Sequence, residues 1–189
     1  MAVADFLVRG RKDVSLAFFH HGTSTSDDAE PFVRRFAEER RLELVVGRIR
    51  GARPPGKSQE EHWRDERYAF LESLDRIVLT AHHLDDAVET WLFTSFHGEP
   101  RLIPYARGER VVRPFLITSK SELVDWANRR GLPWMDDPSN LDVSHARNRI
   151  RHLILPEILR VNPGISTVVR KKYLKGGDGR CRMAAMRDA

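Results

Sequence analysis

Between Thr80 and Thr90 the chain reads TAHHLDDAVET, which sets His82, His83, Asp85, Asp86 and Glu89 within one short run. On a helix, Asp85 and Glu89 (four apart) share a face, as do Asp86 and Glu89 (three apart). Carboxylates grouped in this way can hold Mg²⁺, a hard ion that prefers oxygen ligands and is often shared with substrate phosphates. Two other readings use the same residues. A dedicated hydrolase metal centre would take His and Asp ligands and activate a water. Alternatively, acids in a first helical turn complement the positive end of the helix. A second candidate is FHHGTSTSDD, where His20 and His21 could face a ligand and Gly22 permits close backbone approach; an ordinary turn would use the same residues. A third is RNRIRH, in which Arg147 and Arg151 share a helix face with Arg149 and His152 flanking them. Arginine suits phosphate through bidentate hydrogen bonds, and a solvated basic face is the plainer alternative.

Elements are needed to hold these groups. VSLAFF (14–19) is a short apolar run, followed by a polar loop that gives way to a helix at PFVRRFAEERRL from Pro31. LELVVGRI (42–49) reads as a second strand. Ser58 with Glu61 three residues on has the form of a capping box, opening a helix that offers Trp63, Phe70, Leu71 and Leu74 to a core. RIVLTA (76–81) reads as a third strand and Leu84–Phe96 as a helix with Leu84, Val88, Trp91, Leu92 and Phe96 near one stripe. ERVVRPFL is expected to be extended, and SKSELVDWANRRGL forms a helix stopped at Gly131. WMDDPSN reads as a turn, with Trp134 expected in the core, and ARNRIRHLILPEIL as a further helix. Strands alternating with helices predict a parallel α/β sheet covered on both faces. In such a sheet the functional edge lies at the carboxyl ends of the strands, where His82 and His83 would fall.

With 189 residues, 41% apolar and 31% charged, the composition is that of a globular domain. No apolar run approaches the length of about 18 residues that spans a membrane. Cys181 is the only cysteine, which rules out an internal disulfide or a thiolate cluster and fits a reducing cytoplasm. The net charge of +5 permits an anionic partner, and the positive charge is concentrated late: residues 170–187 hold seven Lys or Arg against one Asp.

Taken in order, HHG (20–22), EHWRDERYAFL (61–71), LTAHHLDDAVET (79–90), VVRPFL (111–116), LPWMDDPSN (132–140) and ARNRIRHLILPEI (146–158) resemble the tRNA(Ile)-lysidine synthetases, which belong to the N-type ATP pyrophosphatase, or PP-loop, superfamily. The resemblance covers residues 1–160 and implies an α/β, parallel-sheet, Rossmann-like three-layer sandwich of the adenine nucleotide alpha hydrolase type. Residues 161–189 are then expected to be a basic C-terminal tail. The implied reaction uses ATP and Mg²⁺ to adenylate the C2 oxygen of the wobble cytidine in a tRNA with a CAU anticodon. The amine of free L-lysine then displaces AMP. By this resemblance, Asp86 and Glu89 contact the lysine or a metal, with Asp85 as a further metal ligand. His82 and Arg64 are catalytic candidates, and His21, Gly22, His83 and Arg67 serve the nucleotide. Arg147, Asn148, Arg149 and Arg151 bind phosphate or tRNA.

One departure stands out. The Ser-Gly-Gly-x-Asp-Ser pyrophosphate loop of these enzymes is absent from the chain, whose first residues MAVADFLVRG resemble the helix that follows that loop. The resemblance therefore implies an N-terminally truncated fold. About 20–30 further residues would be needed for a leader, one strand and the loop. It leaves open a non-catalytic tRNA- or nucleotide-binding remnant, and a different tRNA-modifying enzyme of the same fold. A sulfur-inserting sister enzyme would need more than Cys181, and a phosphohydrolase would build on His82, His83, Asp85 and Asp86.

Overall fold

The computed structural model describes residues 1–10 and 12–175. The chain divides into two compact units: Met1–Val78 with Trp126–Asp137, and Leu79–Asp125 with the chain from Pro138.

In the first unit, α1 (Ala2–Arg9) precedes β1 (Ser15–His20), α2 (Ser24–Arg40), β2 (Glu43–Arg48) and α3 (Gln59–Ser73). β1 and β2 pair in parallel from Ser15 opposite Glu43 to His20 opposite Arg48. Parallel neighbours require a crossover, and α2 supplies it. Buried Ala4, Phe36, Ala127 and Leu132 form the core of this unit, with Leu16, Leu42 and Trp126 packed against them. The Trp126 indole N–H donates to Asp5 Oδ2 at 3.2 Å, so the one polar atom of a large apolar side chain is satisfied.

The start of α2 differs from the sequence expectation. The helix begins at Ser24, seven residues before Pro31, because Thr23 caps it: the Thr23 hydroxyl accepts the Ser26 N–H at 3.2 Å. Pro31 forfeits one backbone hydrogen bond inside the helix. Beside it, buried Glu30 accepts from Arg34 (2.7 Å) and from Arg48 on β2 (2.6 Å). α3 follows the sequence closely, opened by a complete Ser58–Glu61 capping box. It lies so close to β2 that a Cβ added to Gly47 would stand 2.5 Å from the Phe70 ring. Trp134 is a correction. It is 54% exposed, and Leu132, two residues earlier, takes the buried apolar place instead.

In the second unit, a three-stranded sheet has the order β3 (Val78–Leu79), β5 (Val111–Val112), β4 (Ala106–Arg107), with β4 antiparallel to β5. The run 76–81 contributes only two residues to the ladder, extended by the Thr80 N–H donating to Val112 O at 3.0 Å. α4 (Leu84–Phe96) packs Leu84, Ala87, Val88 and Leu92 with Ile103, Leu116, Ile150, Ile165 and Val169. Of the expected stripe, Phe96 lies outside this core and is exposed. α5 (Lys120–Arg129) is capped by Ser119, whose hydroxyl accepts the Glu122 N–H, and the chain leaves it through Gly131 at φ +59°.

After a 3-10 turn (Pro138–Leu141), a continuous helical stretch comprises α6 (Ala146–Arg149), a π turn (Ile150–Ile154) and α7 (Leu155–Val161). α8 (Ile165–Lys175) follows. The segment expected to be a basic tail thus includes a helix whose Ile165 and Val169 are buried in the core, while 176–189, with Cys181, lie outside the described residues. Among the described residues no helix is long and apolar enough to cross a membrane.

Candidate active site

The opening of α4 is built by the residues that could do chemistry. His83 is the N-cap. Its Nδ1 accepts the Asp86 N–H at 3.4 Å, and Asp86 Oδ2 accepts the His83 N–H at 2.9 Å, a reciprocal capping box with histidine in the place usually held by serine or threonine. The same Nδ1 lies 3.5 Å from Asp86 Oδ2 and 3.6 Å from Asp85 Oδ2, so the ring sits against both carboxylates. Asp85 Oδ2 accepts the backbone N–H of Lys120 at 2.8 Å, which joins the start of α4 to the start of α5. His82 turns its Nδ1 to the Thr80 hydroxyl at 2.8 Å.

One turn further along α4, Glu89 is 1% exposed. Both of its oxygens accept from one guanidinium: Arg151 Nε at 2.7 Å and Nη2 at 2.9 Å. A carboxylate so enclosed needs a partner of this kind, because a buried unpaired charge is strongly unfavourable. In return the Glu89 hydrogen bonds hold the Arg151 guanidinium above its ordinary pKa. Asp86 Oδ1 lies 3.9 Å from the same guanidinium and is more open to solvent than Glu89. Asp86, Glu89 and Arg151 therefore form a cluster of two carboxylates and one cation. Among the described residues no three His, Cys, Asp or Glu side chains form a group able to hold a metal ion.

The other residues of the arginine-rich motif separate. Arg147 donates to the Thr90 hydroxyl at 3.1 Å, beside the cluster. Asn148 is buried and its amide N–H groups donate to Ser139 O at 2.8 Å and Asp142 O at 2.9 Å, a brace for the preceding turn. Arg149 is exposed. Sequence reasoning did not pick out Lys120 or Thr90. Neither carries a local signal, since each acts through a group brought near by folding.

The first unit holds its own set. At the end of β1, buried His20 accepts the Gly22 N–H on Nδ1 at 3.0 Å and pairs through Nε2 with Asp27 Oδ1 at 3.0 Å. This stabilises the left-handed backbone of Gly22, whose φ is +72°. His21 lies 5.5 Å, ring to ring, from Trp63 on α3. Its Nδ1 is buried without a partner, as is Nε2 of His62. Burial, reinforced by the Arg67 guanidinium and by His20, pushes the His21 imidazole down to about 4, so it is neutral at pH 7. Arg64 and Arg67 both lie over the Tyr68 ring, at 5.1 and 5.6 Å from its centroid. Tyr68 is itself buried beneath these cations, whereas the His21 and Trp63 rings are partly exposed, with the Arg67 charge felt at His21.

The chain is 33% identical over 178 residues to the tRNA(Ile)-lysidine synthase of Exiguobacterium sibiricum, covering 87% of this chain and 42% of that protein. It is 33% identical to the enzyme of the same name from Lactiplantibacillus plantarum (76% of this chain, 35% of that one) and also 33% identical to that of Geobacter sulfurreducens (88% and 39%). The chain thus spans about two fifths of the length of these relatives. Residues 2–158 match the PP-loop domain family, an ATP-binding family with a Rossmann-like adenine nucleotide alpha hydrolase fold, in line with the parallel β1–β2 pair and its crossover helix. With that match extending over most of its length, the chain belongs to the PP-loop domain family.

Proposed function

We propose that this chain performs, or contributes the lysine site for, ATP-dependent formation of lysidine at the wobble cytidine of a tRNA with a CAU anticodon. The observation that carries this reading is the Asp86–Glu89–Arg151 cluster. A free amino acid is a zwitterion, and a carboxylate beside a guanidinium is complementary to its two charged ends. Asp86 would take the α-ammonium and Arg151 the α-carboxylate. The lysine side-chain amine is then free to attack C2 of the cytidine. Glu89 has both oxygens committed to Arg151, so it acts by fixing the guanidinium.

Activation is needed because a carbonyl oxygen is a poor leaving group. Its attack on the α-phosphorus of ATP expels pyrophosphate, and the subsequent attack of lysine expels AMP. His21 and Gly22 would border the nucleotide, with Arg67 supplying positive charge and the neutral His21 ring an apolar face. His82, His83 and Arg64 are further candidates for contact with the reacting groups. Arg147 and Arg149 would meet RNA phosphates, where arginine binds in bidentate fashion. Asp85 and Asp86 would supply carboxylate oxygens, the hard ligands that Mg²⁺ prefers, to an ion bound with ATP.

The test is incubation of the protein with ATP, labelled lysine and a CAU-anticodon tRNA. Label entering the tRNA together with lysine-dependent pyrophosphate release is the expected result. Metal-dependent phosphate release that ignores lysine and tRNA would overturn the proposal in favour of a phosphohydrolase.

A further inference from the structure

Pro156 is the second residue of α7, two positions beyond the end of the π turn Ile150–Ile154. In a regular α-turn its ring would collide with the carbonyl of His152, four residues back, and it has no N–H to offer that carbonyl. The helix is widened at this place: the N–H of Leu155 reaches back five residues, to Ile150 O. Single π turns inside α-helices are rare and concentrate at functional sites. Arg151 lies inside this widened turn and meets Glu89 through Nε and Nη2 together. A bidentate pair of this kind tolerates little rotation of the guanidinium, because both N–H groups must stay aligned with both oxygens.

We propose that Pro156 is a positioning residue: by imposing the π turn it sets the direction from which Arg151 meets Glu89, and with it the guanidinium edge offered to the amino-acid substrate. The consequence for substrate rests on the amino-acid reading of the cluster given above, whereas the effect on Arg151 does not. Replacement of Pro156 by alanine restores an N–H and removes the ring, so the stretch can rewind as regular α-helix and carry Arg151 out of line with Glu89. Alanine is the best helix former, so the variant should fold.

The experiment compares wild type, Pro156→Ala and Arg151→Lys. NMR of the arginine Nε–H groups should show a slowly exchanging signal that disappears in Arg151→Lys and is thereby assigned to Arg151. In Pro156→Ala that signal should move and exchange about tenfold faster or more, the counterpart of about 1.4 kcal/mol in the closed pair, with the thermal midpoint little changed. In the lysine incorporation assay, KM for lysine should rise about tenfold with a smaller change in kcat. An unchanged Arg151 signal in Pro156→Ala overturns the proposal. So does a shifted signal with unchanged lysine KM, provided Arg151→Lys raises that KM. Should Arg151→Lys leave lysine KM untouched, it is the amino-acid reading that fails.

Discussion

Glu89 and Arg151, 62 residues apart in sequence, meet through two parallel hydrogen bonds at 2.7 and 2.9 Å, the carboxylate almost wholly withdrawn from solvent. Removing one partner of such a pair leaves the other uncompensated. Glu89→Ala should therefore destabilise the protein by about 3 kcal/mol, the low end for a buried pair because Arg151 retains some solvent access. Glu89→Gln should cost about half as much, since one acceptor survives. Urea denaturation measures both. A loss below about 1 kcal/mol for Glu89→Ala would mean that Arg151 swings into water and the pair contributes little.

Asp86 combines two tasks that substitution can separate. It caps α4 through His83 and stands 3.9 Å from Arg151. Asp86→Asn keeps an oxygen for the cap and should hold stability to within about 0.5 kcal/mol, whereas Asp86→Ala should lose about 1 kcal/mol. Both should lower lysine incorporation by about 100-fold or more, the scale of a lost charge-assisted contact in a transition state. If Asp86→Asn incorporates lysine at the wild-type rate, the carboxylate is only a helix cap.

The His21 imidazole is held down to about 4, below its ordinary 6.5, chiefly by burial. The unfolded chain then binds more protons than the folded one between those values. Stability from this group is complete above pH 6.5 and is lost as pH falls toward 4. A shift of this size in a fully buried ring corresponds to about 3 kcal/mol; screening at a partly exposed one reduces it to about 1 kcal/mol. His21→Gln should flatten the wild-type stability curve across that window, as read by denaturation at stepped pH. Arg67→Ala should raise the His21 titration midpoint in NMR.

Gly47 is required by proximity. An added Cβ would meet three atoms of the Phe70 ring at 2.5–2.8 Å, and Phe70 is itself against Phe19, with 5.7 Å between ring centroids. Gly47→Ala should cost about 1–3 kcal/mol through overpacking. Phe70→Leu, which frees the space, should recover part of that cost in the double variant. Additive losses in this double-mutant cycle would show that the ring is not what the methyl strikes.

Much of the scaffold was legible because its signals are local. The Ser58–Glu61 box and the Gly131 stop involve groups within a few residues of each other, so composition and spacing are enough to read them. The start of α2 was misread from Pro31, because a threonine cap eight residues earlier outweighs one missing N–H. Trp134 was misplaced for a similar reason: hydrophobicity says that a side chain can be buried, but Leu132 occupies the place.

For the site, the division follows the range of each interaction. The sequence by itself determined the order of the motifs, the α/β alternation, and the presence of acids at the head of α4 and arginines on a late helix. Only the tertiary structure decided which acid meets which arginine. Glu89, rather than Asp85 or Asp86, takes the bidentate pair with Arg151. Asp85 turns to Lys120, and Asn148 braces a turn. The physical reason is that a buried charge is tolerated only where a specific partner is delivered, and delivery depends on how helices far apart in sequence pack together.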